Sequence, residues 1–105
     1  MSGTTNPQAA PSYEFHRRVD PLVYRFEPTA PLAERPTWRR ADLPLWLRWQ
    51  PGTGWCTVDD QGVVNSRPWN VELADQGEQP PLGEWLSKKG DKSYVYDLVR
   101  VATQR

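Results

Sequence analysis

A two-residue alternation of large and polar side chains recurs through this chain, and it restricts the fold to something built from strands. Tyr13, Phe15, Arg17 and Val19 alternate with Glu14, His16 and Arg18. After Asp20–Pro21 breaks the pattern, Leu22, Tyr24 and Phe26 alternate with Val23, Arg25 and Glu27. In an extended backbone successive side chains point to opposite faces, and aromatic and β-branched residues suit that pleated surface. Both segments therefore read as strands with one face turned inward.

The same reading continues downstream. In Leu45–Gln50 the residues Leu45, Leu47 and Trp49 share one face, and Trp46, Arg48 and Gln50 share the other. Pro51–Gly54 is a turn with two glycines free to take positive φ. Trp55–Asp59 resumes as a strand, Asp60–Gln61–Gly62 turns, and Val63–Ser66 pairs back, so 45–66 read as a three-stranded meander. Glu84–Lys88 and Ser93–Ala102 flank Lys89–Gly90–Asp91–Lys92, which predicts a hairpin. The second of these strands is apolar on both faces and reads as central. Pro28, Pro31 and Pro36 remove donors and restrict their predecessors. Residues 28–44 are accordingly expected to be an extended connection, with one helical turn at Leu32–Arg35. A second helical turn fits Val71–Gln76 in the acidic loop that ends at Pro81.

Short strands with turn signals at close intervals predict a mainly β fold. The expected form is a small SH3-like barrel or a strongly curved antiparallel sheet, with at most one or two short helical turns. An α+β sheet bearing one short helix is the second choice. The chain has 105 residues, enough for one domain and too few for two ordinary ones. Residues 1–12 are small, polar and proline-punctuated, and cannot bury enough apolar area to offset their ordering. They are expected to be a flexible, disordered N-terminal tail ahead of a single β-rich domain over 13–105. A core this small gains from big residues, since one aromatic buries ~150–250 Å². Six tryptophans, four tyrosines and two phenylalanines are available. Trp55 and Trp85, set in strands, are expected to be buried.

Charge excludes some partners. Thirteen basic residues balance thirteen acids, which gives neither a nucleic-acid polycation nor a general attraction to anionic membranes. The balance is uneven along the chain, with seven Arg against five acids up to Trp49 and six basic residues against eight acids after it. A basic face is compatible with that. The single Cys56 allows no internal disulfide, no apolar run approaches the ~18–20 residues of a membrane span, and Met1–Ser12 has neither basic cluster nor apolar stretch for a signal peptide. A cytoplasmic location and no membrane partner are the resulting expectations.

The usual catalytic constellations fail. One His16 and one Cys56 do not make a soft metal site, so no metal and no cofactor is expected. Asp59–Asp60–Gln61–Gly62 is ordinary turn chemistry. A nucleophilic Cys56–His16 pair lacks support, because a lone strand cysteine is usually inert and His16 sits on the polar side of its strand. Gly90–Asp91–Lys92–Ser93 fails as a phosphate loop, since Asp91 separates Gly from Lys and a strand follows. Gly52–Thr53–Gly54 opens a strand and fails as a dinucleotide fingerprint. The chain is therefore expected not to be an enzyme.

What remains is surface. Trp46 shares its face with Arg48, Trp69 follows Pro68 in a loop, and Trp38 stands beside Arg39 and Arg40 in the proline-rich connector. Trp and Arg are the side chains most enriched at binding hot spots. Trp38, Trp46, Arg48 and Trp69 are thus the candidate partner-binding residues of a small non-catalytic accessory, adaptor or inhibitor protein whose partner is another protein. The alternative is single-stranded nucleic acid, stacked on the aromatics with Arg39, Arg40, Lys88, Lys89 and Lys92 along its backbone. A third reading is a structural component of a larger assembly such as a viral particle. Loops folding over the three rings would remove them from contention.

Overall fold

The computed structural model describes residues 11–32, 35–89 and 91–101. It contains strands β1 (Ser12–Arg17), β2 (Val23–Leu32), β3 (Arg35–Arg40), β4 (Leu45–Gln50), β5 (Gly54–Asp59), β6 (Val64–Pro68), β7 (Gly83–Lys89) and β8 (Lys92–Val101), with one 3-10 turn at Leu73–Asp75. Each strand pairs antiparallel with the next, and β8 returns to β1, closing the sheet into a barrel. Closure in chain order is the up-and-down arrangement, and it gives every strand a hydrogen-bonded neighbour on both sides over at least part of its length. The expected β-rich barrel, the 45–66 meander, the C-terminal hairpin and a helical turn within 71–76 are all present. The hairpin ladder runs further than anticipated, to Lys89↔Lys92.

The connector expectation is overturned. Pro28 and Pro31 lie within β2 and Pro36 within β3, and Leu32 pairs with Arg35 instead of starting a helical turn. Residues 33–34 fall outside the described ones. Among the described residues β2 pairs with β1 only over Val23–Phe26. Beyond Phe26 its partner among the described residues is β3 alone, and against these the prolines need no donor on their second side.

An eight-stranded barrel is just wide enough for side chains to fill its interior. Trp38, Trp55 and Trp85 do so here with Tyr13, Phe15, Phe26, Leu47 and Leu98, all buried. The rings meet mostly edge to face, as their quadrupoles favour. Tyr13 stands on Trp38 with centroids 4.9 Å apart, and Phe15 on Phe26 at 5.3 Å. Trp55 and Trp85 are buried as expected. Trp38 is not in a connector at all but inside, which removes it from the partner-binding set.

The end of the barrel at which β1 begins and β6 finishes is sealed by chain outside the strands. Trp55 Nε1 donates to the Gly77 carbonyl (2.9 Å), Trp85 Nε1 to Pro81 (2.8 Å), and the Tyr13 hydroxyl to Gln79 Oε1 (2.9 Å). Trp38 Nε1 donates to the Pro11 carbonyl (2.7 Å). Buried indoles need such acceptors, and the 69–82 segment and the chain before β1 supply them.

This moves the boundary of the N-terminal tail. Ser12 is buried in β1 opposite Val101, and Pro11 serves Trp38; of the expected tail, residues 1–10 lie outside the described ones. A chain starting at Tyr13 should be less stable than one starting at Pro11 by ~1–3 kcal/mol, the cost of a buried donor left unpaired. Urea unfolding followed by far-ultraviolet circular dichroism compares the two, and coincident midpoints would show that the Pro11 carbonyl is dispensable.

Candidate functional site

Outward-facing residues divide the barrel into two halves of different character. On β1 and β2, and at Glu84 of β7 and Asp97 of β8, they are laced into ion pairs. Arg18 bridges Asp97 (2.8 Å) and Glu84 (2.9 Å), and Arg25 pairs with Glu27 and Glu14. On β3 to β6 the outward cations Arg39, Arg48 and Arg67 pair with no described carboxylate, and across the ladders they stand opposite Trp46, Cys56 and Leu86. This second wall is where the candidate residues gather.

The orientation of β4 is as the alternation predicts. Leu45 and Leu47 are buried, and Trp49 packs against the core with the Arg35 guanidinium 4.2 Å over its ring. Trp46 and Arg48 face out and are half-buried. The Arg39 guanidinium lies 5.5 Å from the Trp46 ring centroid, so β3 itself partly covers that ring. Trp69 is 55% exposed. Its position is nonetheless fixed: its N–H donates to the Glu84 carbonyl (2.8 Å), Pro68 pairs with Trp85, and Asn70 turns the chain at a φ of 60°. Asn is one of the few residues that tolerates this left-handed conformation.

Trp69 separates three clefts. One, of about 250 Å³, runs over Val64, Arg67 and Leu86 to Lys88. A smaller, apolar one is walled by Trp85, Leu86 and Val95, the last two paired across β7 and β8. The third lies towards Gly52, Glu72 and Leu73. Arg67, Leu86 and Val95 were not among the sequence candidates. Their signal was the same alternation, carried one strand further on each side of the turn at 69–82.

The proposed nucleic-acid residues do not form one stripe. Arg39 and Arg40 are adjacent in sequence and therefore point to opposite sides of β3. Arg39 is outside; Arg40 turns into the barrel end, 3.7 Å over the Tyr24 ring and hydrogen-bonded to Asp42 (2.6 Å). Lys88 and Lys92 are exposed at the β7–β8 hairpin. Lys89 occupies the hairpin's last pair.

Cys56 faces outward between Arg48 and Arg67 yet is fully buried beneath its neighbours. Burial pushes its thiol up to about 11, against a smaller opposing effect of the two guanidiniums. His16 faces outward as well, bonded to Glu14 (2.8 Å), on a strand four away from β5 in either direction around the ring. The barrel thus holds the two groups apart, and they form no nucleophile–base pair. Among the described residues no three His, Cys, Asp or Glu side chains are grouped to hold a metal. No helix among them is long and apolar enough to cross a membrane.

Comparison with protein-family models, with curated proteins and with solved structures finds no match to this chain. The described residues present two features to a ligand: the wall around Trp69, and the open end into which Arg40 points.

Proposed function

We propose that the protein is a small non-catalytic binding module, an accessory, adaptor or inhibitor, that grips another protein with the wall centred on Trp69. The observation that carries this reading is a large aromatic ring left in solvent while its backbone is pinned on both sides. A pre-positioned anchor avoids the ordering cost that flexible contacts incur on binding. Its surroundings match the anatomy of a protein interface: Leu86 and Val95 supply an apolar centre, Arg67 and Lys88 a basic rim, and Glu72 and Glu84 an acidic one. Trp46 and Arg48 extend the same wall. The acidic rim disfavours a polyanion lying across Trp69, and the inward turn of Arg40 removes a cation from that alternative.

The test is retention of a partner from native lysate by wild-type and variant chains. Trp69→Ala should change folding stability by less than ~0.5 kcal/mol, as surface substitutions do. Affinity for the retained protein should fall by ~2 kcal/mol or more, the scale of a hot spot. Trp46→Ala should weaken binding less, because Arg39 already covers the ring. Binding to single-stranded DNA or RNA that weakens steeply with salt, with Trp69→Ala failing to release the protein partner, would replace this reading with the nucleic-acid one.

A further inference from the structure

The two ends of the barrel are built differently. The 69–82 segment and Pro11 seal one end with hydrogen bonds to four buried aromatics. At the other end, between the β1–β2 and β3–β4 connections, a cavity of about 200 Å³ remains open. Its floor is the filled core. Its walls are the Arg17 and Arg40 guanidiniums, the Tyr24, Tyr94 and Tyr96 rings, and Asn65. Both arginines occupy inward positions of their strands: Arg17 pairs with Tyr96 and Arg40 with Phe26, and their side chains are only 20% and 15% exposed.

Two charges at inward positions are costly where an apolar residue would close the barrel at lower desolvation cost. Each is also set against a ring, Arg40 at 3.7 Å from the Tyr24 centroid and Arg17 at 5.0 Å from that of Tyr94. A guanidinium stacked this way keeps its edge free for planar, two-point recognition of an anion. Here each edge is held by a carboxylate from the adjoining connection, Asp20 on Arg17 (2.6 Å) and Asp42 on Arg40 (2.6 Å). Asp42 is itself 58% exposed. These carboxylates occupy the positions that a ligand's anionic group would take.

We propose that this open end binds a small carboxylate carried on a flat ring, with Arg40 taking the carboxylate, Arg17 adding its charge nearby, and the tyrosines flanking the ring. The mouth of a small barrel is a recurrent place for one small ligand. The cavity is smaller than the ~300–1,000 Å³ that drug-sized ligands occupy, which limits the ring system to a small one. Binding exchanges Asp42, the more exposed of the two carboxylates, for the ligand's on Arg40, while Arg17 keeps Asp20 and lends its charge beside the site.

Benzoate, inorganic phosphate and benzylamine, titrated into the full chain and followed by amide chemical shifts, test this. Benzoate should saturate with shifts at Arg17, Arg40, Tyr94 and Tyr96. Phosphate should bind several-fold more weakly, and benzylamine should leave these amides unmoved. Asp42→Asn removes the competing carboxylate and should tighten benzoate ~2–5-fold, the range of a solvent-exposed ion pair. A purely structural Arg40–Asp42 pair gives no such gain. Arg40→Gln should weaken benzoate at least ~10-fold, the loss of a charge-assisted hydrogen bond. Trp69→Ala, at the far end of the wall, should leave benzoate binding unchanged, which keeps this site separate from the protein-binding one. The proposal is overturned by no saturable shift at ~10 mM benzoate, by benzylamine binding as well as benzoate, or by Asp42→Asn leaving the affinity unchanged.

Discussion

Replacing Trp55 by alanine is expected to cost the barrel ~3–5 kcal/mol, the range for emptying a core position of its largest side chain. Trp55 is fully buried. Its ring centroid lies 6.0 Å from those of both Trp38 and Trp49, so it joins the sealed end of the core to β4. Its indole N–H also holds Gly77, so truncation loosens the sealing segment as well as opening a cavity. Against a total of ~5–15 kcal/mol for a small domain, a loss of this size takes most of the population margin. Trp55→Phe separates the two contributions. It keeps most of the apolar volume but forfeits the hydrogen bond, and should cost ~1–3 kcal/mol for the carbonyl left unpaired and the volume lost. Chemical unfolding of both variants checks this, and a Trp55→Ala midpoint near that of wild type would show that the ring is not part of the folded core.

Much of the barrel was legible because strand alternation is written locally. The inward faces of β1 and β4 follow directly from which residues sit at odd and even positions, and Tyr13, Phe15 and Leu47 are buried accordingly; β8 is apolar on both faces, and it is the barrel that turns Tyr96 and Leu98 inward. What the local pattern could not carry was the closure. Pro28, Pro31 and Pro36 look like breaks when a strand is imagined with partners on both sides. They become tolerable once β2 runs past the first residues of β1 and, among the described residues, has only β3 beside it. That condition depends on where a neighbouring strand stops, which no residue within 28–36 encodes. Trp38 was misplaced for the same reason: with β3 unrecognised, its ring had no inward face to occupy.

The candidate site was legible only in part. Trp46 and Arg48 could be turned outward by comparing the two faces of one strand. Trp69 could be singled out as a ring next to a turn. Their grouping with Arg67, Leu86 and Val95 is a matter of register between β4, β5, β6, β7 and β8, and register is not visible in one strand at a time. The open end is a sharper case. Arg17 and Arg40 are twenty-three positions apart and look like ordinary strand arginines. The antiparallel β1–β2–β3 meander brings both to the same end beside Tyr24, and closure of β8 onto β1 adds Tyr94 and Tyr96. Arg40, read beside Arg39 as one basic stripe, belongs to a different site altogether.

Gly54→Ala is expected to be the most damaging substitution among the described glycines, at about 3 kcal/mol. Gly54 has a φ of +92°, a conformation that costs a residue with a Cβ ~1–3 kcal/mol. A Cβ there would also stand 2.6 Å from Gln76 Oε1. The Gln76 carboxamide is a flexible side chain and can retreat, but it is not idle: Oε1 accepts the backbone N–H of Trp55 at 2.8 Å. Its retreat leaves that buried N–H without a partner, a further ~1–3 kcal/mol. Gly52 and Gly62 share the positive φ but have open space around the missing Cβ, so alanine there should incur the conformational cost alone. Gln76→Ala tests the division. It removes the acceptor without straining the backbone, and in that background Gly54→Ala should cost less than it does in the wild type, because the clash and the lost bond are already gone. Equal costs in the two backgrounds, measured as a double-mutant cycle by urea unfolding, would mean that Gln76 does not hold the sealing segment to β5.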